Sequence, residues 1–470
     1  MLCNADIFEV VLRSVNGGNM KRKLRGILLA TAAAGLILIA DGTAAPAGAM
    51  SLQEAVSLAI STNPSVGQVS NDRRAIDQEL RQGRALYYPQ VDARAATGVG
   101  WANNSNTNIG NSNDNSRTLW AKQASLTLSQ LIFDGFFAES EVERQTSRVK
   151  SAAYRVEESA EFTGLDAVEA YLDILRHRER VQLAEDNVGV HRARLGQVQQ
   201  RAQAGGGNIA DVRQAEARLA NSESALVETQ GNLKDAESRF IQVVGQAPDS
   251  LDEAAIPADA IPADVDAAVN NAVESSPTVA FARQDVKVAE ANVKQQEASL
   301  YPDIRLELST SVFDDSDGQD RTNYDASALV VLRYNLYRGG ADTARIREFK
   351  WRLAEAIDAM HTNERKVSDD ARVSWNAIEV SHSNVEILGR QVGADVKTVD
   401  VYKQQFEIGQ RGLLDLLDAD NELYLARDNE ITAKYAEIFA NYRLLATMGA
   451  LQKTLGITPL DSATQLKDEN

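Results

Sequence analysis

The chain has 470 residues, with 67 acidic side chains against 49 basic ones, a formal net charge of -18 and a single cysteine. This acidic balance disfavours a nucleic-acid partner, because like charges repel. Since the one cysteine, Cys3, has no second thiol to pair with, a disulfide within the chain is excluded. The length suggests about three domains, but duplicated units that cannot each bury a core often form one body.

The N-terminus carries the pattern of an export signal. A basic stretch, Lys21–Lys23, precedes the apolar run Ile27–Ala40, and Ala47–Ala49 supplies a small-x-small cleavage site. The run has about 14 apolar residues, whereas a membrane-spanning helix needs roughly 20. We therefore expect residues 1–49 to be a signal peptide. Because acidic residues precede the basic stretch, we expect Met20 to be the true start.

The rest of the sequence is an internal duplication, with two similar copies in succession. The first copy recurs at an offset of 213 up to Pro89 and at an offset of 204 from Phe133 onward. Between these points the first copy carries a polar, asparagine-rich loop. Such a duplication predicts one body made of two halves. The predicted segments are a first repeat at 50–250, a linker at 251–264, a second repeat at 265–456 and a short polar tail at 457–470.

Alternating apolar and polar residues predict one pair of strands in each copy. Val91–Trp101 lies opposite Ala124–Ile132 in the first copy, and Asp303–Phe313 lies opposite Tyr324–Leu336 in the second. Strands of this length suit a bilayer crossing, although alternation alone also describes a soluble, half-buried sheet. The export signal favours the membrane. Because an open sheet edge in lipid leaves backbone groups unsatisfied, several chains must then contribute to one barrel.

Long heptad patterns predict helices after each strand pair. Each copy has one stretch of about 105 Å at 1.5 Å per residue, Gly135–Gly205 and Gly339–Gly409, followed by a glycine turn. A second helix follows each turn, at Asp211–Val244 and Leu413–Leu455. One seven-residue register of the second copy is apolar almost throughout, at Ile357, Ala371, Ile378, Val385, Val392, Val399 and Phe406. This 3.5-residue period predicts left-handed coiled-coil packing.

Patterns for catalysis or for metal and nucleotide binding are missing from the sequence. The four histidines stand singly in helical stretches, without a His-Glu-x-x-His motif or a cysteine to complete a metal site. The run Gly205–Gly207 lacks the Lys-Ser/Thr pair of a phosphate loop. The sequence therefore predicts a protein that is not an enzyme and that has no metal and no cofactor.

Taken together, these residues resemble the TolC-like outer-membrane factors of Gram-negative bacteria over nearly the whole mature chain. The likeness includes Tyr88-Pro89 and Tyr301-Pro302 before the strands, and Gly135 and Gly339 after them. The stretch Phe406–Asp418 is especially similar to members that serve type I secretion of large adhesins. The resemblance implies a mainly α fold with β, and a homotrimer. Its twelve strands would form an outer-membrane barrel and its twelve helices a periplasmic tunnel.

The resemblance also implies roles at the tip of the helices. Asp415 and Asp418 correspond to acidic positions at the tunnel entrance, so a trimer would present six carboxylates around one axis. Asp211 and Arg411 correspond to contacts that hold the tunnel closed. Phe406 stands where the family often has a tyrosine and has no hydroxyl to donate. Packing, or the pair of Asp211 with Arg411, would then contribute more to closure.

The same tip residues have plainer interpretations. Asp211 and Asp415 follow turns at helix starts, where N-capping and the helix dipole account for acidic residues. Asp418 fits a solvated helix face, and the arginine of the turn fits a solvated side chain. Gly205 and Gly409 fit chain reversals, which favour residues that tolerate positive φ.

The resemblance implies an export duct in the outer membrane that extends into the periplasm. Its partners would be outer-membrane lipid, a periplasmic adaptor and an inner-membrane transporter. The tip sequence favours type I protein secretion with an ATP-driven (ABC) transporter, and a drug or metal efflux duct of an RND pump is the alternative. A secreted coiled-coil structural or adhesive protein is an alternative of another class, which the four amphipathic strands disfavour.

Overall fold

The computed structural model describes residues 49–104, 107, 116–316, 318 and 320–464. The predicted signal peptide up to residue 48, with the predicted start at Met20, lies outside the described residues. So do the last six residues of the predicted polar tail and most of the asparagine-rich loop.

Two short helices, two strands and two long helices follow one another in this order twice. The first set is α1 (Leu52–Thr62), α2 (Pro64–Ala85), β1 (Gln90–Ala102), β2 (Arg117–Phe133), α3 (Phe137–Gln203) and α4 (Ile209–Val244). The second set is α5 (Val265–Ser275), α6 (Pro277–Glu297), β3 (Asp303–Asp314), β4 (Thr322–Arg333), α7 (Ala341–Glu407) and α8 (Leu413–Thr447). A one-turn helix, α9 (Leu451–Thr454), follows α8.

Local chemistry explains where the short helices begin. Ser51 and Glu54 form a capping box at α1, in which each side chain accepts a hydrogen bond from the other residue's backbone N–H. Pro64 and Pro277 occupy the first turns of α2 and α6, where a missing N–H costs nothing. The recurrence of proline at an offset of 213 therefore marks a recurring helix start.

The two long helices confirm the heptad prediction, but three predicted ends of other elements are wrong. α3 and α7 each have 67 residues, about 100 Å at 1.5 Å per residue. β2 begins at Arg117 and not at Ala124, because Arg117 already pairs with Ala102 of β1. β4 ends at Arg333 and not at Leu336, because Arg333 pairs with Asp303, the first residue of β3, and later residues have no partner. The last long helix ends at Thr447 and not at Leu455, since Gly449 adopts a φ of +68° there.

The four strands form one antiparallel sheet in the order β1-β2-β3-β4. Val91, Leu128, Leu308 and Ala328 lie opposite one another across all four strands, and so do Gln90, Ser129, Glu307 and Leu329 on the other face. One face is therefore largely apolar and the other largely polar, which confirms the predicted alternation. Val91 and Val330 on the apolar face are more than 60% exposed in this chain, and β1 and β4 are the edges of the sheet.

The main core lies where α1, α3, α4, α5 and α8 meet. Tyr171 and Phe240 are fully buried there, and the Tyr171 hydroxyl donates to the carbonyl oxygens of Met50 and Asp252, both at 2.8 Å. A second apolar cluster lies at the far end of the long helices and includes Phe406, Leu413, Leu416 and Leu417. The two clusters hold the hairpin of α3 and α4 (the first hairpin) beside the hairpin of α7 and α8 (the second hairpin).

Candidate functional site

The candidate site is the tip, where both helical hairpins turn. Gly205 and Gly409 each have a φ of +79°, a conformation that side chains with a Cβ rarely adopt. The backbone N–H groups of Gly206 and Gln410 donate to carbonyl oxygens of Arg201 and Gln405, at 3.0 and 2.8 Å. Both long helices therefore end in the same glycine-dependent reversal.

Asp211 and Asp415 lie in the first turns of α4 and α8 but do not cap these helices. The cap of α4 is Asn208, whose side-chain oxygen accepts from the N–H of Ala210 at 3.0 Å. Gly412 precedes α8 without a side-chain cap. The two carboxylates therefore act on their helices through the dipole. Asn208 was missed by sequence reasoning, although an Asn just before a helix is a common start signal.

Arg411 folds back onto its own hairpin. Its guanidinium lies 3.7 Å from the centre of the Tyr402 ring, donates to Gln405 Oε1 at 2.7 Å and pairs with Asp415 Oδ2 at 3.2 Å. In the described part of this chain, Asp211 forms no ion pair with Arg411. The predicted contact of these two residues, which would link neighbouring hairpins, stays a prediction.

Both predicted entrance carboxylates have an arginine partner within the chain. Asp415 pairs with Arg411, and Asp418 accepts from Arg218 of α4 at 2.6 Å. The two acidic side chains are nevertheless about half exposed, at 53% and 50%. Exposed ion pairs are weak and exchange with water, typically contributing about 0–1 kcal/mol. An acidic entrance at these positions would therefore be partly offset by nearby arginines.

Phe406 is buried at the end of α7 and contacts Arg201, which lies at the end of α3. The Arg201 guanidinium lies 4.4 Å from the ring centre and donates to the carbonyl oxygens of Phe406 and Glu407, at 2.9 and 2.8 Å. Sequence reasoning missed Arg201, since a basic residue in the last turn of a helix is common and does not name its partner.

A buried polar cluster lies between the hairpins above the tip. Arg194 of α3 pairs with Asp420 of α8, and both are buried. His191, one turn from Arg194, is 4% exposed, and its Nδ1 has no hydrogen-bond partner among the described residues. Burial lowers the pKa of His191 below its ordinary value, and the nearby Arg218 and Arg194 add to this effect against the opposing charge of Asp420.

Further contacts between α3 and α8 follow the same line away from the tip. Arg180 pairs with Asp428 at 2.6 Å, and Glu179 accepts from Lys434 and Tyr435 at 2.9 and 2.6 Å. We call this row, from Glu179 down to the Arg194–Asp420 pair, the α3–α8 seam. It joins the two hairpins by charged and polar contacts over several helical turns.

The opposite ends of the long helices meet the sheet at the predicted junction residues. Pro89 and Pro302 come directly before β1 and β3. Gly135 has a φ of +70° and Gly339 a φ of +64°. At the junction of β2 with α3, three rings form edge-to-face aromatic contacts with centres 5.5 to 6.5 Å apart, those of Phe133, Phe136 and Tyr301.

The described residues contain no group of three or more His, Cys, Asp or Glu side chains arranged to hold a metal ion. No described helix combines the length and the apolar content needed to cross a membrane.

Comparison with known proteins gives consistent matches over both copies. The sequence pattern of the outer membrane efflux protein family matches residues 55–246 and 268–450. The outer membrane efflux protein BepC of Brucella suis is 28% identical over 327 residues, which cover 69% of this chain and 72% of that protein. The outer membrane protein TolC of Escherichia coli is 23% identical over 442 residues, covering 87% and 86%.

The fold also matches solved structures. The outer membrane protein VceC of Vibrio cholerae aligns with a TM-score of 0.72 at 15% identity, over 85% of this chain and 96% of that one. The family match extends over well more than half of the chain and includes both helical hairpins. The chain therefore belongs to the outer membrane efflux protein family, whose members are outer-membrane channels reaching into the periplasm.

Proposed function

We propose that three copies of this chain form an export duct that receives cargo from an inner-membrane transporter and a periplasmic adaptor and releases it outside the cell. The transported class that we favour is protein, in a type I secretion system. The observation that carries the proposal is the sheet. Its apolar face carries exposed side chains on each strand, among them Val91, Leu126, Leu308 and Val330, and its edge strands β1 and β4 each pair on one side only.

Further copies of the chain would close this sheet. A sheet edge in lipid leaves backbone groups without partners, so β4 of one copy would pair with β1 of the next. Aromatic side chains lie towards both ends of the strands, as in the aromatic girdles of outer-membrane barrels. Those towards the outer end are Trp101, Trp120 and Tyr324, and those at the helical end are Tyr88, Tyr301 and Tyr337. This arrangement supports outer-membrane lipid as a partner.

The helices also present a surface suited to another copy. α7 carries exposed apolar residues on one seven-residue register, at Val373, Val380, Ile387 and Val401, and Ile408 continues this register directly after the helix. The intervening position of this register is Ala394, also exposed. A heptad stripe is the surface that one helix offers to another in a coiled coil. This stripe supports side-by-side packing of helices from neighbouring copies.

The choice of protein secretion rests on the tip sequence and on one group of relatives. The alkaline protease secretion protein AprF of Pseudomonas aeruginosa is 23% identical over 415 residues, covering 86% of this chain. The cobalt-zinc-cadmium resistance protein CzcC of Cupriavidus metallidurans is 26% identical over 265 residues, covering 55%. The longer match to a secretion protein favours an ABC transporter as partner. A drug or metal efflux duct with an RND pump is the second candidate.

Deletion of the gene in its host tests the cargo class. For protein secretion, we expect a large protein to disappear from the culture medium, and to return when the full chain is supplied in trans. If the secreted proteins are unchanged and the deletion strain becomes sensitive to drugs or divalent metals, protein secretion is wrong and efflux replaces it.

Planar-bilayer recording of the purified protein tests the duct itself. Wild-type protein should form stable pores that prefer cations, and Asp415→Ala with Asp418→Ala should weaken that preference, because the carboxylates attract cations to the entrance. Pores with unchanged selectivity would refute the acidic entrance but leave the duct. Failure of the wild-type protein to insert would favour the secreted coiled-coil alternative.

A further inference from the structure

The tip contains one contact that joins the ends of the two long helices directly. Arg201 lies in the last turn of α3, and one of its nitrogens donates to the carbonyl oxygens of Phe406 and Glu407, the last two residues of α7. Carbonyl oxygens in the last turn of a helix have no partner within that helix. The carbonyl oxygen of Phe406 also accepts from the N–H of Gly409 at 3.1 Å. Arg201 therefore adds a second donor to Phe406 and supplies a donor to the carbonyl oxygen of Glu407.

The same guanidinium also covers the Phe406 ring. Its central carbon lies 4.4 Å from the ring centre, within the range of a cation–π contact. The ring belongs to the apolar cluster that fills the tip, together with Val198 and Leu413. Because Phe406 has no hydroxyl, it contacts the first hairpin through its backbone carbonyl oxygen and the face of its ring. Arg201 contacts both of these groups.

Arg201 lies beyond the α3–α8 seam, on the side of the tip. Arg194 joins α3 to α8 about two helical turns earlier, and Arg218 joins α4 to α8 through Asp418. Beyond Arg201 the chain turns at Gly205. Together with the apolar packing of Val198 against Phe406, the Arg201 side chain therefore sets the position of the end of α7 relative to α3.

We propose that Arg201 is the positioning residue that holds the second hairpin against the first at the entrance, and so keeps the entrance narrow in the resting protein. This inference rests on the proposed function as an export duct. The residues predicted to close the tip are Asp211, Arg411 and Phe406. Arg201 is not one of them, and its contact with α7 lies within one copy of the chain.

Single-channel conductance of the full chain in planar bilayers tests the proposal. Arg201→Ala should shift the closed-to-open equilibrium by roughly tenfold or more, the change expected for the loss of one hydrogen bond to a charged group, and so raise the mean conductance. Arg201→Lys keeps a cationic donor and should give a smaller rise. Arg192→Ala is the matched control, since Arg192 lies on the same helix and pairs with Glu223 at an exposed position.

Two further measurements separate positioning from simple loss of stability. The temperature at which the assembled protein dissociates in detergent should be the same for Arg201→Lys as for wild type, while the conductance differs. Phe406→Leu removes the ring but keeps both carbonyl acceptors. Its effect should therefore be smaller than that of Arg201→Ala and should not add to it, because the two residues act through one contact.

The outcomes distinguish this inference from the function on which it rests. If the wild-type protein forms no pores, the proposed function fails. If the wild type forms pores and Arg201→Ala conducts like Arg192→Ala, the role of Arg201 is wrong. If Arg201→Ala does not assemble, the other two variants decide. The role of Arg201 is then wrong if Arg201→Lys and Phe406→Leu both conduct like the wild type.

Discussion

Arg194 and Asp420 form a buried ion pair that joins α3 to α8, with Nε 2.9 Å from one carboxylate oxygen and a terminal nitrogen 3.3 Å from the other. Their side chains are 8% and 4% exposed. Both charges are therefore withdrawn from water, and each depends on the other. The two-point geometry also fixes the relative position of the two helices.

Asp420→Ala should destabilise the protein by about 3–5 kcal/mol, because it leaves the Arg194 charge buried without a partner. The double variant Arg194→Met, Asp420→Leu should recover much of this loss, since it removes both charges. Urea unfolding of the purified protein, followed by circular dichroism, measures the difference. Glu223→Ala, at the exposed pair with Arg192, is the control and should change stability by less than about 1 kcal/mol.

Gly135 and Gly339 provide a matched pair at the junctions of strands and helices. Both have positive φ, so alanine at either position costs about 1–2 kcal/mol in backbone strain. At Gly135 an added Cβ would also lie 2.6 Å from the carbonyl oxygen of Ala298 and 2.7 Å from Cβ of Tyr301, whereas nothing lies within 4 Å at Gly339. Gly135→Ala should therefore cost about 1–3 kcal/mol more than Gly339→Ala. Equal unfolding free energies for the two variants would contradict this account.

Glu161 should make stability fall as pH rises towards neutrality. Its buried carboxylate accepts hydrogen bonds from the backbone N–H groups of Leu451 and Gln452 at the start of α9. Burial raises its pKa from 4.5 to about 7, against the opposing effect of these donors. Since the folded protein holds this proton more tightly, the stabilising contribution is complete below pH 4.5 and is lost as the pH rises through about 7.

Glu161→Gln should flatten the fall in melting temperature between pH 4.5 and 7, as a series of thermal melts would measure. Glu169→Gln is the control, because Glu169 lies on the same helix and forms an exposed pair with Arg239. A pH dependence that persists in Glu161→Gln would assign it to other groups.

His191 should act in the opposite direction. Three charged groups surround it, Arg194 on α3, Arg218 on α4 and Asp420 on α8, and burial lowers its pKa below 6.5. The unfolded chain therefore takes up a proton more readily than the folded chain. The resulting contribution to stability is complete above pH 6.5 and is lost as the pH falls.

His191→Leu should reduce this loss of stability in acid, as measured by thermal melts at a series of pH values below 6.5. His382→Leu is the control, since His382 is exposed and bonds to Glu437 at 2.7 Å. If the two variants show the same pH profile, the buried histidine is not the source of the acid sensitivity.

The predicted elements were close to the observed ones because their signals are local. Alternation placed the strands, apart from the start of β2, which pairs with β1 from Arg117 onward. The heptad period placed α3 and α7 to within two residues of their ends. Errors arose where the end of an element depends on distant residues. β4 stops where β3 no longer offers a partner, and the last long helix stops before α9, whose backbone N–H groups bond to Glu161, 290 and 291 positions away.

The tip shows the same division between sequence and tertiary structure. The duplication and the two glycine turns can be recognised in the sequence, because residue types and their period at each turn carry that information, whereas Asp415 and Asp418 were chosen from the family resemblance. The bond from Arg201 to the end of α7 and the pairing of Arg194 with Asp420 are visible only in the tertiary structure. These partners are 205 and 226 positions apart, and side chains so distant in the chain meet only after two helices of about 100 Å have packed in one particular register.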